Sequence, residues 1–236
     1  ATRIMLIKVC GLRDQENIKA VDALGVDMTG FIFAPASPRY VGMISSHAGI
    51  IPDYSETRLN AEGRNVADTG THPKRVGVFV DDMPQNIITR IYNFSLDYVQ
   101  LHGSESPVML RNLRNSVADG IAPSLKIIKA ISIGCAADFE RCAQYEGIAD
   151  LLLFDTKCCT GGGSGKQFDW SLLDNYHGHT PFLLSGGIGP DDAPEILRIS
   201  HPMFAGVDVN SRFETSPAVK DVEKLRKFVN YIRDNE

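Results

Sequence analysis

The chain has 236 residues, a formal net charge of −5 and 43% hydrophobic residues. That length suits one large α/β domain or two small ones, and the acidic balance argues against a nucleic-acid or anionic-membrane partner. No apolar run approaches the roughly 20 residues that a membrane span needs.

Strand-type and helix-type segments alternate along the chain. Arg3–Val9 reads as a first strand, followed by a helix over Asp14–Leu24 with apolar spacing at Ile18, Val21 and Leu24 and Gly25 as its stop. Met28–Phe33 is the second strand, with a weakly patterned helix around Ser45–Ile51. Arg75–Val80 is the third, and Pro84 opens a helix running to about Phe94. Asp97–Leu101 and a helix over Ser104–Asn115 follow, then Leu125–Ile131 with a helix near Ala136–Tyr145. Leu151–Phe154 pairs with a helix over Phe168–Tyr176, and Pro181–Leu184 with one over Pro190–Ile199. Phe204–Val209 is the eighth strand, and Pro217–Arg233 the closing helix.

Eight β-then-α units with apolar strands imply a parallel sheet, and eight of them in this length imply a single (β/α)8 barrel over residues 1–236. An open doubly wound sheet would need a glycine-rich turn after the first strand, and Cys10-Gly11-Leu12-Arg13 lacks GxGxxG. Residues 52–73 are polar, rich in Asn, Asp and Thr, and without a period, which reads as a surface insertion.

In a barrel of this kind the chemistry sits at the C-terminal ends of the strands. Those ends carry Cys10, Arg39, Gln100 and His102, Asp155, the glycines Gly186 and Gly187, and then Asp208, Asn210 and Ser211. Alternation along the first strand puts Lys8 and Cys10 on one face, and with Ile7 and Val9 turned to the helices that face is the interior. A lysine there lowers a thiol's pKa, and Asp208 on the neighbouring eighth strand is the candidate counter-charge for Lys8. Asp155 follows a fully apolar strand, where a carboxylate needs a partner or a task, and the glycines Gly161–Gly165 behind it read as a lid hinge. Arg39, in Ser37-Pro38-Arg39, suits bidentate recognition of a carboxylate or phosphate. The loops after the seventh and eighth strands, with Gly186, Gly187, Asn210 and Ser211, suit phosphate. Residues 160–167 fail the P-loop pattern at Thr160 and Gln167.

The five cysteines, Cys10, Cys135, Cys142, Cys158 and Cys159, are odd in number and contain no CxxC pair, so neither a disulfide framework nor a zinc site is expected. A reduced, cytoplasmic setting is the expectation, with no signal-peptide pattern at the start.

The series Lys8-Val9-Cys10-Gly11, Ser37-Pro38-Arg39-Tyr40, Val99-Gln100-Leu101-His102-Gly103, Asp155-Thr156-Lys157, Gly162-Gly163-Ser164-Gly165-Lys166, Leu184-Ser185-Gly186-Gly187 and Val207-Asp208-Val209 resembles the phosphoribosylanthranilate isomerases of tryptophan biosynthesis over nearly the whole chain, the 52–73 insertion apart. The resemblance implies a cofactor-free and metal-free Amadori rearrangement of a small phosphosugar substrate by a monomer or homodimer. It puts the general base at Cys10 and the general acid at Asp155, with Arg39 on the anthranilate carboxylate and the phosphate near Gly186, Gly187, Asn210 and Ser211. His102 and Asp208 join the substrate-binding set. Arg212 stands where many relatives carry a small residue. The rivals are another phosphosugar enzyme on the same barrel, such as indole-glycerol-phosphate synthase, and a silent barrel that only binds phosphate. A lysine–glutamate set at the strand tips would mark the synthase, and a silent barrel needs neither Cys10 nor Asp155.

Overall fold

The computed structural model describes residues 4–42, 72–156 and 169–236. The expected helix around Ser45–Ile51, all but the end of the 52–73 insertion, and the glycine segment with Cys158 and Cys159 lie outside the described residues. Eight parallel strands close into a barrel in chain order: β1 (Leu6–Val9), β2 (Met28–Ile32), β3 (Lys74–Phe79), β4 (Tyr98–Leu101), β5 (Lys126–Ile133), β6 (Leu151–Thr156), β7 (Phe182–Ser185) and β8 (Phe204–Val209). The ring is sealed by β8 against β1, with Lys8 level with Asp208. No described helix is long and apolar enough to cross a membrane.

Period-two alternation sorts the strand side chains into two apolar sets. One fills the barrel, with Met28, Val76, Tyr98, Ile128, Leu153 and Leu183 among its members. The larger set, including Ile7, Val9, Val99, Ile127, Leu152 and Phe154, packs beneath the outer helices. Local signals set the helix starts. Asp14 accepts a hydrogen bond from Asn17 N at 2.9 Å and Ser106 from Met109 N at 3.3 Å, capping the helices Gln15–Asp22 and Pro107–Ala118. The latter therefore begins later than Ser104, because Ser106 and Pro107 form the cap and first turn.

Several elements differ from the periodicity-based expectation: the helix expected over Phe168–Tyr176 is a 3-10 helix, Trp170–Asn175, and the one expected over Pro190–Ile199 is a 3-10 turn, Pro190–Asp192, leading into a short α-helix, Ala193–Ile196. Ala136–Tyr145 is a 3-10 helix, and its buried residues Phe139, Cys142 and Tyr145 are spaced by three, which is the spacing that aligns side chains on such a helix. Strand β6 runs on through Thr156, so Asp155 sits inside the strand and not just beyond it, level with Ser132 of β5 and Ser185 of β7. The closing helix begins at Val222, capped by Asp221, and not at Pro217. Pro217 instead turns a small antiparallel pair, β9 (Glu214–Ser216) with β10 (Val219–Lys220), and Ala218 takes a φ of 70° there.

Phe154 anchors the layer under the site. Its ring stacks on Phe182 at 4.5 Å and meets Phe139 and Tyr176 edge-on at 5.1 Å each. Truncation by Phe154→Ala is expected to cost about 3–5 kcal/mol, read as a lowered urea midpoint with an unchanged slope. A loss below about 1 kcal/mol would contradict this account of the packing.

Candidate active site

The C-terminal mouth of the barrel holds a cavity of about 300 Å³ lined by Cys10, Gln100, His102, Asp155, Gly186, Gly187, Asp208, Asn210, Ser211 and Arg212. Sequence reading had drawn all of these but Arg212 from separate strand tips. Larger surface hollows elsewhere, such as one between residues 136–146 and 175–179, lie away from these groups.

Strand register builds the floor. Asp155 is level with Ser185, Ser185 with Asp208, and Asp208 with Lys8. Lys8 is fully buried, and its Nζ donates to Asp208 Oδ1 at 2.7 Å, while Ser185 Oγ donates to Asp208 Oδ2 at 3.1 Å. The expected Lys8–Asp208 pair is therefore present. Burial works against the Lys8 ammonium, but the Asp208 carboxylate overcomes it and holds the pKa above the ordinary value. The consequence for Cys10 departs from the expected activation. Burial pushes the Cys10 thiol up, and the pull of Lys8, opposed by Asp208, does not offset it. In the free protein the thiol is the resting form.

Cys10 is 4% exposed and lies against Gly30, where a Cβ would stand 2.8 Å from the sulfur. The next residue, Gly11, has a φ of 80°, and a Cβ there would stand 2.6 Å from both Arg39 Cδ and Asn210 Oδ1. Glycine thus lets the β1 turn touch two neighbouring loops. Arg39 itself is held from behind: Nε and Nη2 donate to Glu214 Oε1 and Oε2 at 2.8 and 2.6 Å. Lys220 Nζ donates to the same Glu214 Oε1 and to Asn210 Oδ1, both at 2.7 Å. Burial raises the Glu214 carboxyl, but the hydrogen bonds from Arg39 and Lys220 more than reverse that and hold its pKa low. Burial pulls the Lys220 ammonium down. Two cations share one carboxylate here, leaving the cluster formally one positive charge in excess. Sequence reading missed Glu214 and Lys220, which lie 175 and 181 residues beyond Arg39. No local motif marks them.

On the opposite side, His102 Nε2 lies 3.3 Å from Asp155 Oδ2, and Gln100 Nε2 lies 3.0 Å from His102 Nδ1. The loop that carries His102 is clamped by Lys129, which donates to Leu101 O, Gly103 O and Glu105 Oε2 at 3.1, 2.7 and 2.9 Å. Lys129 and Glu105 were also missed, since a buried pair on an outward strand face and a loop has no sequence signature.

The loops after β7 and β8 form the third wall. Gly186 and Gly187 have φ values of 104° and 68°, and a Cβ at Gly186 would collide with Thr156 O. This turn needs glycine for both space and conformation. Arg212 packs its guanidinium over Gly189, with Nε 3.0 Å from a Cβ built there, and faces the cavity. The cavity brings together a thiol, a carboxyl, glycine backbone and the Arg212 guanidinium, while Arg39, held by Glu214, is not among the residues that line it. A thiol, a carboxyl and an arginine around one cavity suit acid–base chemistry on an anionic ligand.

The family follows from the comparisons. The family model of N-(5'phosphoribosyl)anthranilate (PRA) isomerase matches residues 42–231. The N-(5'-phosphoribosyl)anthranilate isomerase of Parabacteroides distasonis is 42% identical over 228 residues, covering 97% of this chain and 93% of the relative. That of Phocaeicola vulgatus is 41% identical, covering 97% and 98%. The crystal structure of phosphoribosyl anthranilate isomerase from Thermotoga maritima superposes with a TM-score of 0.72 at 30% identity, over 98% of this chain and 99% of that one. The chain belongs to the N-(5'-phosphoribosyl)anthranilate isomerase family.

Two measurements check this geometry. Lys8→Met leaves the Asp208 carboxylate buried without its cation and is expected to destabilise by about 3–5 kcal/mol, read by urea unfolding. Because burial raises the Cys10 thiol above its ordinary value of 9.0, alkylation of Cys10 by iodoacetamide, followed peptide by peptide in a mass spectrometer, is expected to be slow at pH 7. It should accelerate as the pH rises, and at pH 7 it should trail that of the exposed Cys135. Equal rates at the two cysteines at pH 7 would overturn the assignment of a resting thiol.

Proposed function

We propose that the chain converts N-(5-phosphoribosyl)anthranilate into 1-(2-carboxyphenylamino)-1-deoxyribulose 5-phosphate, with Asp155 as general acid and Cys10 as general base. The observation that carries the assignment of roles is the convergence of Cys10 and Asp155 on one cavity from different sides of the barrel. A reduced form of that product is bound in a solved phosphoribosyl anthranilate isomerase, which has a TM-score of 0.71 and 26% identity with this chain.

Asp155 gives its proton to the furanose ring oxygen. The bond from that oxygen to the anomeric carbon breaks with its electron pair going to the oxygen, and the nitrogen lone pair forms the C=N bond of an iminium. Cys10, after its S–H proton has passed to solvent water on substrate binding, takes the proton from the sugar C2 as a thiolate. The electrons left behind form C1=C2 and neutralise the nitrogen. The resulting enolamine moves its hydroxyl hydrogen to C1 to give the ketone. Cys10 ends as the resting thiol and Asp155 regains a proton from water, so atoms and charge balance and no redox partner is required.

The Lys8 and Lys220 ammonium groups near Cys10 both favour its anionic form. Arg39, fixed through Nε and Nη2, keeps its third nitrogen Nη1 for the anthranilate carboxylate. Gly186, Gly187, Asn210 and Ser211 supply backbone donors for the phosphate, with Arg212 as its cation. Asp208 acts through Lys8 and Ser185 as the electrostatic floor. The whole chain acts as one barrel unit, as a monomer or homodimer. A relative from Thermotoga maritima is described as dimeric, with monomeric forms made from it.

The test is loss of phosphoribosylanthranilate fluorescence with purified protein. Cys10→Ser and Asp155→Asn are each expected to lower kcat by about 10²–10⁴-fold with the fold intact by circular dichroism. Folded wild-type protein without turnover would refute the activity, and near-normal kcat in either variant would refute that residue's role.

A further inference from the structure

Asn210 follows β8 and lines the cavity beside Cys10 and Ser211. Its side-chain Oδ1 accepts a hydrogen bond from Lys220 Nζ at 2.7 Å. An ammonium carries donors only, so the amide atom that meets it is the carbonyl oxygen, and the amide has one orientation. Lys220 is itself held in place. Its side chain is fully buried, and Nζ also donates to Glu214 Oε1 at 2.7 Å. Its main chain exchanges two hydrogen bonds with Asn17: Lys220 N donates to Asn17 Oδ1 at 2.8 Å, and Asn17 Nδ2 donates to Lys220 O at 2.9 Å. With Oδ1 so fixed, Asn210 Nδ2 has no hydrogen-bond partner among the described residues. It is not among the buried atoms left without one, so its two N–H groups are open to solvent.

The amide is a neighbour of Arg39. Arg39 Cδ and Asn210 Oδ1 each stand 2.6 Å from a Cβ built on Gly11, at the turn after Cys10. Glu214 takes the Nε and Nη2 edge of Arg39, which leaves Nη1 for a ligand. An ionised carboxylate has two oxygens and about four acceptor sites, and each one taken out of water without a donor costs affinity. One guanidinium nitrogen does not fill them. The Glu214 carboxylate does not repel a second anion here, because Arg39 and Lys220 both compensate it.

We propose that Asn210 Nδ2 is a second donor to the ligand's carboxylate, beside Arg39 Nη1, and that Asn210 thereby selects ligands that carry that carboxylate. Lys220 sets the role by holding the amide oxygen, so that the face left open is all donor. The main-chain N–H of the same residue stays with the phosphate loop, and the side chain reaches toward the other anionic group. This role rests on the proposed anthranilate-bearing substrate, and ligand binding separates the two.

The test uses two probes and isothermal titration calorimetry, with no need of turnover. One is reduced 1-(o-carboxyphenylamino)-1-deoxyribulose 5-phosphate, the compound bound in a solved phosphoribosyl anthranilate isomerase. The other is its counterpart with phenyl in place of carboxyphenyl. Both share the phosphate, so damage to the β8 loop weakens them alike, whereas a lost carboxylate contact weakens only the first. Wild type is expected to bind the carboxylated probe about 100-fold the tighter. Asn210→Ala should weaken the carboxylated probe about 10-fold or more, as for a hydrogen bond to a charged group, and the phenyl probe less than about twofold. Asn210→Asp keeps an oxygen for Lys220 and puts an acceptor where the donor was, so its loss on the carboxylated probe should be larger still. Equal losses on the two probes in these variants, or no loss, overturn the proposal. A wild type that binds both probes alike removes the carboxylate from the proposed function, and the role of Asn210 with it.

Discussion

The buried pair of Lys8 and Asp208 is the constraint on which the rest of the mouth depends. It joins the first strand to the last across 200 residues of sequence, at the one seam where the barrel must close on itself. Two charges removed from water are costly unless they meet in good geometry, and the remaining carboxylate oxygen must also be used. Here it accepts from Ser185, which ties β7 to the same level. That row continues through Asp155 on β6, so the height of the proposed acid in the barrel is set by the same register that seats the ion pair.

A second polar cluster solves a different problem. Arg39, the proposed partner of the anthranilate carboxylate, has a long, flexible side chain. Glu214 fixes two of its nitrogens, and Lys220 prevents Glu214 from cancelling the charge. The hairpin of Glu214–Ser216 and Val219–Lys220 exists in the place of an earlier start to the last helix, and it is this hairpin that brings the two residues face to face. The glycine at position 11 admits both Arg39 and Asn210 against the Cys10 turn, so substrate recognition and the proposed base share one packing contact.

Electrostatics also shows why apparent activation can mislead. Lysine two residues before cysteine on a strand suggests a lowered thiol pKa. In the folded protein the lysine is already committed to Asp208, and burial dominates. On the proposed mechanism the thiolate therefore forms only with substrate bound, and the resting group is the thiol. That arrangement protects a nucleophilic sulfur from adventitious reaction between turnovers.

Much of this was legible in the residues alone. Alternating apolar strands and helix caps specify eight β-then-α units, since each local segment has only one way to bury its apolar face. The strand-end rule for barrels then singles out Cys10, Asp155 and the glycines after β7. Local pattern could not decide the 3-10 form of residues 136–145, because helix types differ by tertiary packing of the same apolar residues. Nor could it place Asp155 within its strand, or the last helix after a hairpin. Least of all could it reveal that Arg39 meets Glu214, or that Lys220 holds Asn210. Sequence determined the fold and singled out the groups proposed to react, through periodicity and residue chemistry that act over a few positions. Only the closed barrel decided which charge neutralises which, because those partners lie up to 200 residues apart and meet solely through strand register.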